Sequence, residues 1–183
     1  MGNGTPRLDE LASWSGQGSL HVVIETPRGS AAKLKFDPEL GAMTLSRPLP
    51  LGVVYPFDFG FVPRTRAEDG DPLDAAVLLD VATFPGVVLR CRLIGLVRAS
   101  QKGKGGDRVR NDRLITVAEG DRRRVQVREA ADLPEREREE VEQFLLAAVA
   151  LEGKDLALLG WGDAAEAREA VARAAITTRS RRA

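Results

Sequence analysis

A chain of 183 residues, 43% hydrophobic and 30% charged, has the length of one domain and the composition of a globular protein. Its 27 basic side chains balance its 27 acidic ones, which excludes the global positive field of a nucleic-acid binder, and no apolar run approaches the ~20 residues a membrane crossing requires. With a single cysteine no internal disulfide forms, and Cys91, set in the apolar run 87–94, is expected to be a buried free thiol in a reducing, cytoplasmic setting.

Residues 1–19 are rich in Gly, Ser and polar side chains, with Leu8, Leu11 and Trp14 as anchors, and are expected to form a loosely held extension. From Leu20 onward, short apolar stretches at 21–26, 32–36, 43–45, 75–79, 87–96, 114–117 and 125–127 are separated by Gly, Pro and Asp. These are strand signals, and their succession without intervening helices predicts an antiparallel barrel rather than a parallel sheet. Two helices follow. Asp132-Leu133-Pro134-Glu135 has the form of a capping box, after which Val141, Phe144, Leu145, Ala148 and Leu151 recur at helical spacing. Asp163-Ala164-Ala165-Glu166 caps a second, alanine-rich helix that ends near Ile176, before a basic tail over 177–183. The chain thus reads as an extension, one domain over 20–176 and a tail.

The hexapeptide Asp69-Gly70-Asp71-Pro72-Leu73-Asp74 sets three carboxylates on a short, stiff turn, with Gly70 allowing tight backbone geometry and Pro72 fixing its own φ. Such hard oxygens suit Mg²⁺, which keeps several waters and often meets a protein through one or two carboxylates plus substrate phosphates. A solvated acidic turn is the competing reading, since Asp-Gly-Asp-Pro is also good turn chemistry. An EF-hand fits less well, because the glycine and closing glutamate of that loop are misplaced.

The surrounding residues favour the metal. Upstream stand Glu25, Lys33, Arg47 and the run Tyr55-Pro56-Phe57-Asp58-Phe59-Gly60-Phe61-Val62-Pro63, and downstream stand Phe84-Pro85-Gly86 and Arg92-Leu93-Ile94-Gly95. In this order and spacing the chain, from about 22 to 161, resembles the soluble, family I inorganic pyrophosphatases, whose signature is the Asp-x-Asp-x-x-Asp turn. The resemblance implies a mainly β, α+β fold: a small antiparallel or mixed, OB-like barrel of five-stranded type with two helices packed outside. It implies Asp69 and Asp74 as metal ligands, and Asp71 as the general base that also faces the metals. It implies Lys33, Arg47, Arg113 and Tyr55 holding substrate and Glu25 at the edge of the site. A homo-oligomer, hexameric in bacterial members, is the implied assembly.

Several positions depart from the family pattern. Where the family carries a glutamate two residues after its first site lysine, this chain has Lys35, and a second site tyrosine is Phe59. An Asp-Glu pair falls on Gln101-Lys102 and a later aspartate on Asn111, although a one-residue shift of the longer loop would bring Asp112, or a larger one Asp107, to the metals. A Tyr-Lys pair that grips substrate has no counterpart, since Ala148-Val149 stands there. Two functions follow from these facts. One is Mg²⁺-dependent hydrolysis of pyrophosphate, attenuated by the lost acids. The other is a catalytically silent relative in which Lys35, Lys102 and nearby arginines bind pyrophosphate or a phosphorylated small molecule without metal.

Overall fold

The computed structural model describes residues 7–103 and 105–176, so the tail over 177–183 lies outside the described residues. The fold is organised around β1 (Leu20–Thr26), which pairs antiparallel with β4 (Asp58–Phe61) on one side and with β6 (Val88–Lys102) on the other. β4 continues antiparallel into β5 (Asp74–Leu78), β5 runs parallel to β8 (Arg113–Ala118), and β8 returns antiparallel to β6. These pairings close a ring of five strands, the small barrel that the family resemblance implies, and the parallel β5–β8 pair departs from the wholly antiparallel pairing predicted by the strand pattern. The β2 (Ala32–Asp37) and β3 (Ala42–Pro48) hairpin forms a separate two-stranded sheet. The long β6 outruns the barrel and carries β7 (Arg108–Arg110) and β9 (Ala157–Gly162) on its far half.

Both faces of the barrel strands are covered, which is why β5 and β8 read as continuous apolar runs. On one face, alternate residues such as Ala75, Val77, Leu93 and Leu114 pack with Ala167, Ala170 and Val171 of α2 (Ala164–Ala174). On the other, Ala76, Leu78, Ile115 and Val117 meet Val141, Phe144, Leu145 and Ala148 of α1 (Glu135–Val149), so the helical spacing read from the sequence marks the buried stripe. Tyr55, Phe57 and Phe59 complete this second layer around Phe144, with Tyr55 and Phe144 ring centres 4.8 Å apart. Burial of one such ring contributes about 1.5–3 kcal/mol. Gly60 is required where β4 crosses β1, because a Cβ there would lie 1.9 Å from the carbonyl oxygen of Val23. Cys91 is fully buried, and burial pushes its thiol up to about 12.

Three local expectations are corrected. Residues 125–127 form no strand: Asp121 caps a short 3-10 turn over Arg122–Arg124, and Arg92 bonds the carbonyls of Arg124 and Val127. Asp132 does not cap α1, whose N-cap is Pro134; it exchanges capping bonds with Glu129 one turn earlier. Leu151 lies beyond the end of α1 and is 84% exposed. The second cap stands as read, with the Asp163 side chain accepting the Glu166 N–H at 2.8 Å. Strands β4, β7 and β9 are short or glycine-containing, and periodicity had not marked them. Within the extension, Trp14 packs against the barrel core and Ser13 donates to the Pro63 carbonyl at 2.7 Å.

Candidate active site

The acidic turn hangs between β4 and β5 and is fixed at its base by a buried threonine. Thr65 Oγ1 donates to the Val62 carbonyl at 2.6 Å and accepts the Leu73 N–H at 3.0 Å, so the loop is pinched shut before the acids begin. Gly70 takes φ 89°, a left-handed conformation that glycine adopts without strain, and the Asp71 N–H bonds Asp69 Oδ1 at 3.2 Å. Asp74 opens β5 and stands in parallel register beside Arg113 of β8, whose Nε lies 3.2 Å from Asp74 Oδ2. Barrel register, rather than loop geometry, therefore places this pair.

The facing wall is the β2–β3 hairpin. Lys33 and Lys35, two residues apart on one strand, share a face, and Arg47 is the cross-strand partner of Lys33. Together with Glu25 of β1 and the turn they line a cleft of about 450 Å³. Lys35 Nζ reaches across it to Asp71 Oδ2 at 2.8 Å. Tyr55 lies deeper, 3% exposed, in an adjoining hollow shared with Lys33, Arg47, Asp74 and Arg113. The sequence-derived residues Glu25, Lys33, Lys35, Arg47, Asp69, Asp71, Asp74 and Arg113 thus converge, with Tyr55 beneath them.

The hairpin over 100–113 has a definite register, Ser100 opposite Arg110 and Lys102 opposite Arg108. Gln101 and Asn111 face the cleft, where Asn111 Nδ2 donates to Asp69 Oδ2 at 2.7 Å and Asn111 Oδ1 accepts from Arg113. Asp112 does not reach the metals' expected position: its carboxylate accepts the Ala99 N–H at 2.9 Å and Arg110 Nε at 2.6 Å on the other side of the strand. Lys102 is likewise displaced from the cleft, because strand alternation sends it away from Gln101 to a surface hollow with Leu146 and Val149. Asp107 sits exposed at the hairpin tip. Four polar cleft residues were not found from the sequence: Asp9, Ser46, and Glu152 and Lys154 on the loop after α1.

Crowded charge perturbs the titrations. Burial pushes the Glu25 carboxyl up to about 7, with Asp74 adding to the shift and the Phe36 N–H, 2.7 Å from Oε1, opposing it. Burial also raises Asp69, helped by the carboxylates of Asp74 and Asp71, and lowers Lys33, helped by Arg113, Lys154 and Lys35. Burial is the largest influence on Lys35 and would lower it, but the bond to Asp71 and the charges of Asp71, Glu25 and Asp74 together outweigh it and leave Lys35 raised. Tyr55 is held as the neutral phenol, pushed up to about 12 by burial and by Asp74.

The donor set on the turn fits a hard divalent cation. Asp69, Asp71 and Asp74 offer carboxylates, and Gln101 adds a buried Oε1 with no hydrogen-bond partner among the described residues, an orphan acceptor that an ion or its water would satisfy. The hairpin side fits a further cation poorly, since Gln101 and Asn111 are neutral and Lys35 already brings an ammonium to Asp71. No group of three or more His, Cys, Asp or Glu side chains forms a ready cage among the described residues. An ion would enter by displacing the amide and cationic partners of the three aspartates.

Residues 22–178 match the family model described as inorganic pyrophosphatase. The chain is 43% identical over 155 residues to an inorganic pyrophosphatase of Thermus thermophilus, covering 83% of this chain and 86% of that protein. It is 40% identical over 153 residues to one of Streptomyces coelicolor, covering 83% and 91%. A crystal structure of the inorganic pyrophosphatase from Thermus thermophilus superposes with a TM-score of 0.84 at 38% identity over 93% of this chain and 97% of that one. The chain belongs to the inorganic pyrophosphatase family.

Proposed function

We propose that this member of the inorganic pyrophosphatase family hydrolyses inorganic pyrophosphate to two phosphates with the help of a divalent cation, Mg²⁺ by the chemistry of its donors. The observation that carries this reading is the meeting of three turn carboxylates with Lys33, Arg47 and Arg113 in one cleft. Asp69 and Asp74 would hold the cation, which would acidify water and spread the phosphoryl charge. Asp71 takes the proton as a water oxygen bonds to phosphorus and the bridging oxygen leaves. Lys33, Arg47 and Arg113 bind the phosphoryl oxygens through charge-assisted hydrogen bonds, and the neutral Tyr55 donates from below. Glu25 holds the hairpin backbone at Phe36 and so sets the basic wall.

In this reading hydrolysis is slow. Lys35 engages the carboxylate that must accept the proton, and neutral amides stand at 101 and 111. Phosphate release from pyrophosphate with Mg²⁺ or Mn²⁺ tests both parts. Turnover below the median enzyme value of ~10 s⁻¹ is expected; turnover well above it would remove the attenuation, and none with any divalent ion would remove the hydrolysis.

The contact of Lys35 with Asp71 also favours a second reading, a phosphate-compound binder that needs no metal, for which binding of pyrophosphate in EDTA is the test. Lys102 takes no part in it, being outside the cleft. Our reading also includes a cytoplasmic homo-oligomer, a hexamer by family resemblance, which sedimentation would check. No helix among the described residues is long and apolar enough to cross a membrane.

A further inference from the structure

The loop joining α1 to β9 is built to hold one lysine in the cleft. Gly153 and Asp155 both take left-handed backbone conformations, φ 65° and 46°, and the residue between them is Lys154. Its carbonyl accepts the Lys102 N–H at 2.7 Å, while Arg108 bonds the Asp155 carbonyl at 3.0 Å and its carboxylate at 2.9 Å. The loop is therefore stitched to the hairpin over 100–113. A non-glycine residue at positive φ is strained and persists where surrounding contacts over-determine it.

The side chain of Lys154 lines the cleft while staying 39% exposed, and its Nζ lies 2.9 Å from Glu152 Oε2. Glu152 also pairs with Arg47, which bonds the Ala148 carbonyl at 2.9 Å at the end of α1. One carboxylate thus lies between two cations, and positive charge is left over. A lysine serving only as a surface ion pair would gain by facing open water. Here burial lowers its pKa and Arg113 and Arg47 lower it further, an unfavourable crowding of like charges that an anionic ligand would relieve.

We propose that Lys154 is a substrate-binding residue that holds a phosphoryl oxygen of a diphosphate, with Glu152 the positioning residue that aims Lys154 and Arg47 together. This rests on the diphosphate reading of the cleft given above. It supplies from a different loop the cation that is missing at Ala148-Val149.

The test uses full-length protein and methylenediphosphonate, in which carbon replaces the bridging oxygen so that no turnover intrudes. Calorimetric titration with Mg²⁺ should show Lys154→Met weakening binding about tenfold or more, with Lys154→Arg close to the parent and a shallower salt dependence in the methionine variant. Lys154→Gln serves the same purpose should the methionine variant fail to fold. Glu152→Gln should raise KM more than it lowers kcat, with Glu152→Asp restoring part of the loss, and its effect should shrink in the Lys154→Met background. Unchanged affinity in both Lys154 variants overturns the role of Lys154, and fully additive effects overturn that of Glu152. A parent that releases no phosphate yet loses analogue affinity at Lys154 would refute the hydrolytic reading and leave this inference standing.

Discussion

The turn over 69–74 and the hairpin over 101–113 form adjoining walls of one cleft, joined by the bond from Asn111 to Asp69, yet they differ in kind. The turn keeps three carboxylates at fixed positions, two of them set by its own backbone and one by barrel register. The hairpin presents two neutral amides and Arg113 to the cleft and turns its acids, Asp107 and Asp112, away. One wall offers carboxylates, whereas the other offers the cation of Arg113, with Lys35 and Lys154 close by. The comparison teaches that one cleft can set a wall of carboxylates beside a wall of neutral and cationic side chains, so that its electrostatics differ from side to side.

The largest effect should come from the wall that kept its acids. Asp71→Asn removes the proposed proton acceptor while keeping the shape, so hydrolysis should fall by about 10²–10⁴, measured as phosphate release at saturating Mg²⁺. Activity within threefold of the parent would show that Lys35 has already taken Asp71 out of the reaction, and the two walls would be equally silent.

Making the hairpin resemble the turn should have the next largest effect. Lys35→Glu, Gln101→Asp and Asn111→Asp together place acids around Asp69 and Asp71, where without an ion they repel one another. The combined variant should melt lower in EDTA, gain more from added Mg²⁺ than the parent does, and hydrolyse pyrophosphate at least about tenfold faster. These neighbours couple, so the triple variant says more than the single ones. A melting temperature indifferent to Mg²⁺ in both proteins would break the comparison.

Much of this was legible before any coordinates. Periodicity marks four of the five barrel strands, β1, β5, β6 and β8, and both helices, whereas the grouping of Lys33, Arg47, Asp69, Asp71, Asp74 and Arg113 is implied by the family resemblance. The hairpin was not legible to the same degree, because glycines in 102–106 leave the turn unspecified and a one-residue slip exchanges Asn111 for Asp112. Only the pairing of Ser100 with Arg110 decides it. Glu152 and Lys154 were hidden for another reason. Their place depends on how far α1 runs and on two left-handed residues, one of them the aspartate Asp155, which sequence does not flag.

Glu25 tests the electrostatics beneath both walls through stability. Its carboxyl is raised to about 7 in the folded chain, above the unfolded value of 4.5, so the folded state binds the proton more tightly. Its contribution is greatest below about pH 4.5 and is lost as pH rises through 7. Glu25→Gln keeps an oxygen for the Phe36 N–H but carries no charge. It should stabilise the protein at pH 8 by on the order of 2 kcal/mol and do little at pH 4.5, as read by urea unfolding at the two pH values. Equal differences at both would mean that Glu25 is not desolvated as the fold implies.

The smallest effect sharpens the comparison most finely, because it separates neighbouring residues of one strand. Gln101 faces the cleft and Lys102 the outer hollow, so a charge lost at 102 acts on the substrate only through solvent, where ions screen it over ~10 Å at 0.1 M salt. Lys102→Ala should change KM for pyrophosphate less than about twofold at that salt. Lys35→Ala should instead change turnover and affinity together, since Lys35 touches Asp71 directly. If removal of Lys102 raised KM several-fold while the fold stayed intact, the hairpin would have to twist on binding substrate. The positive charge now credited to Lys154 would then belong in part to the strand end beside it.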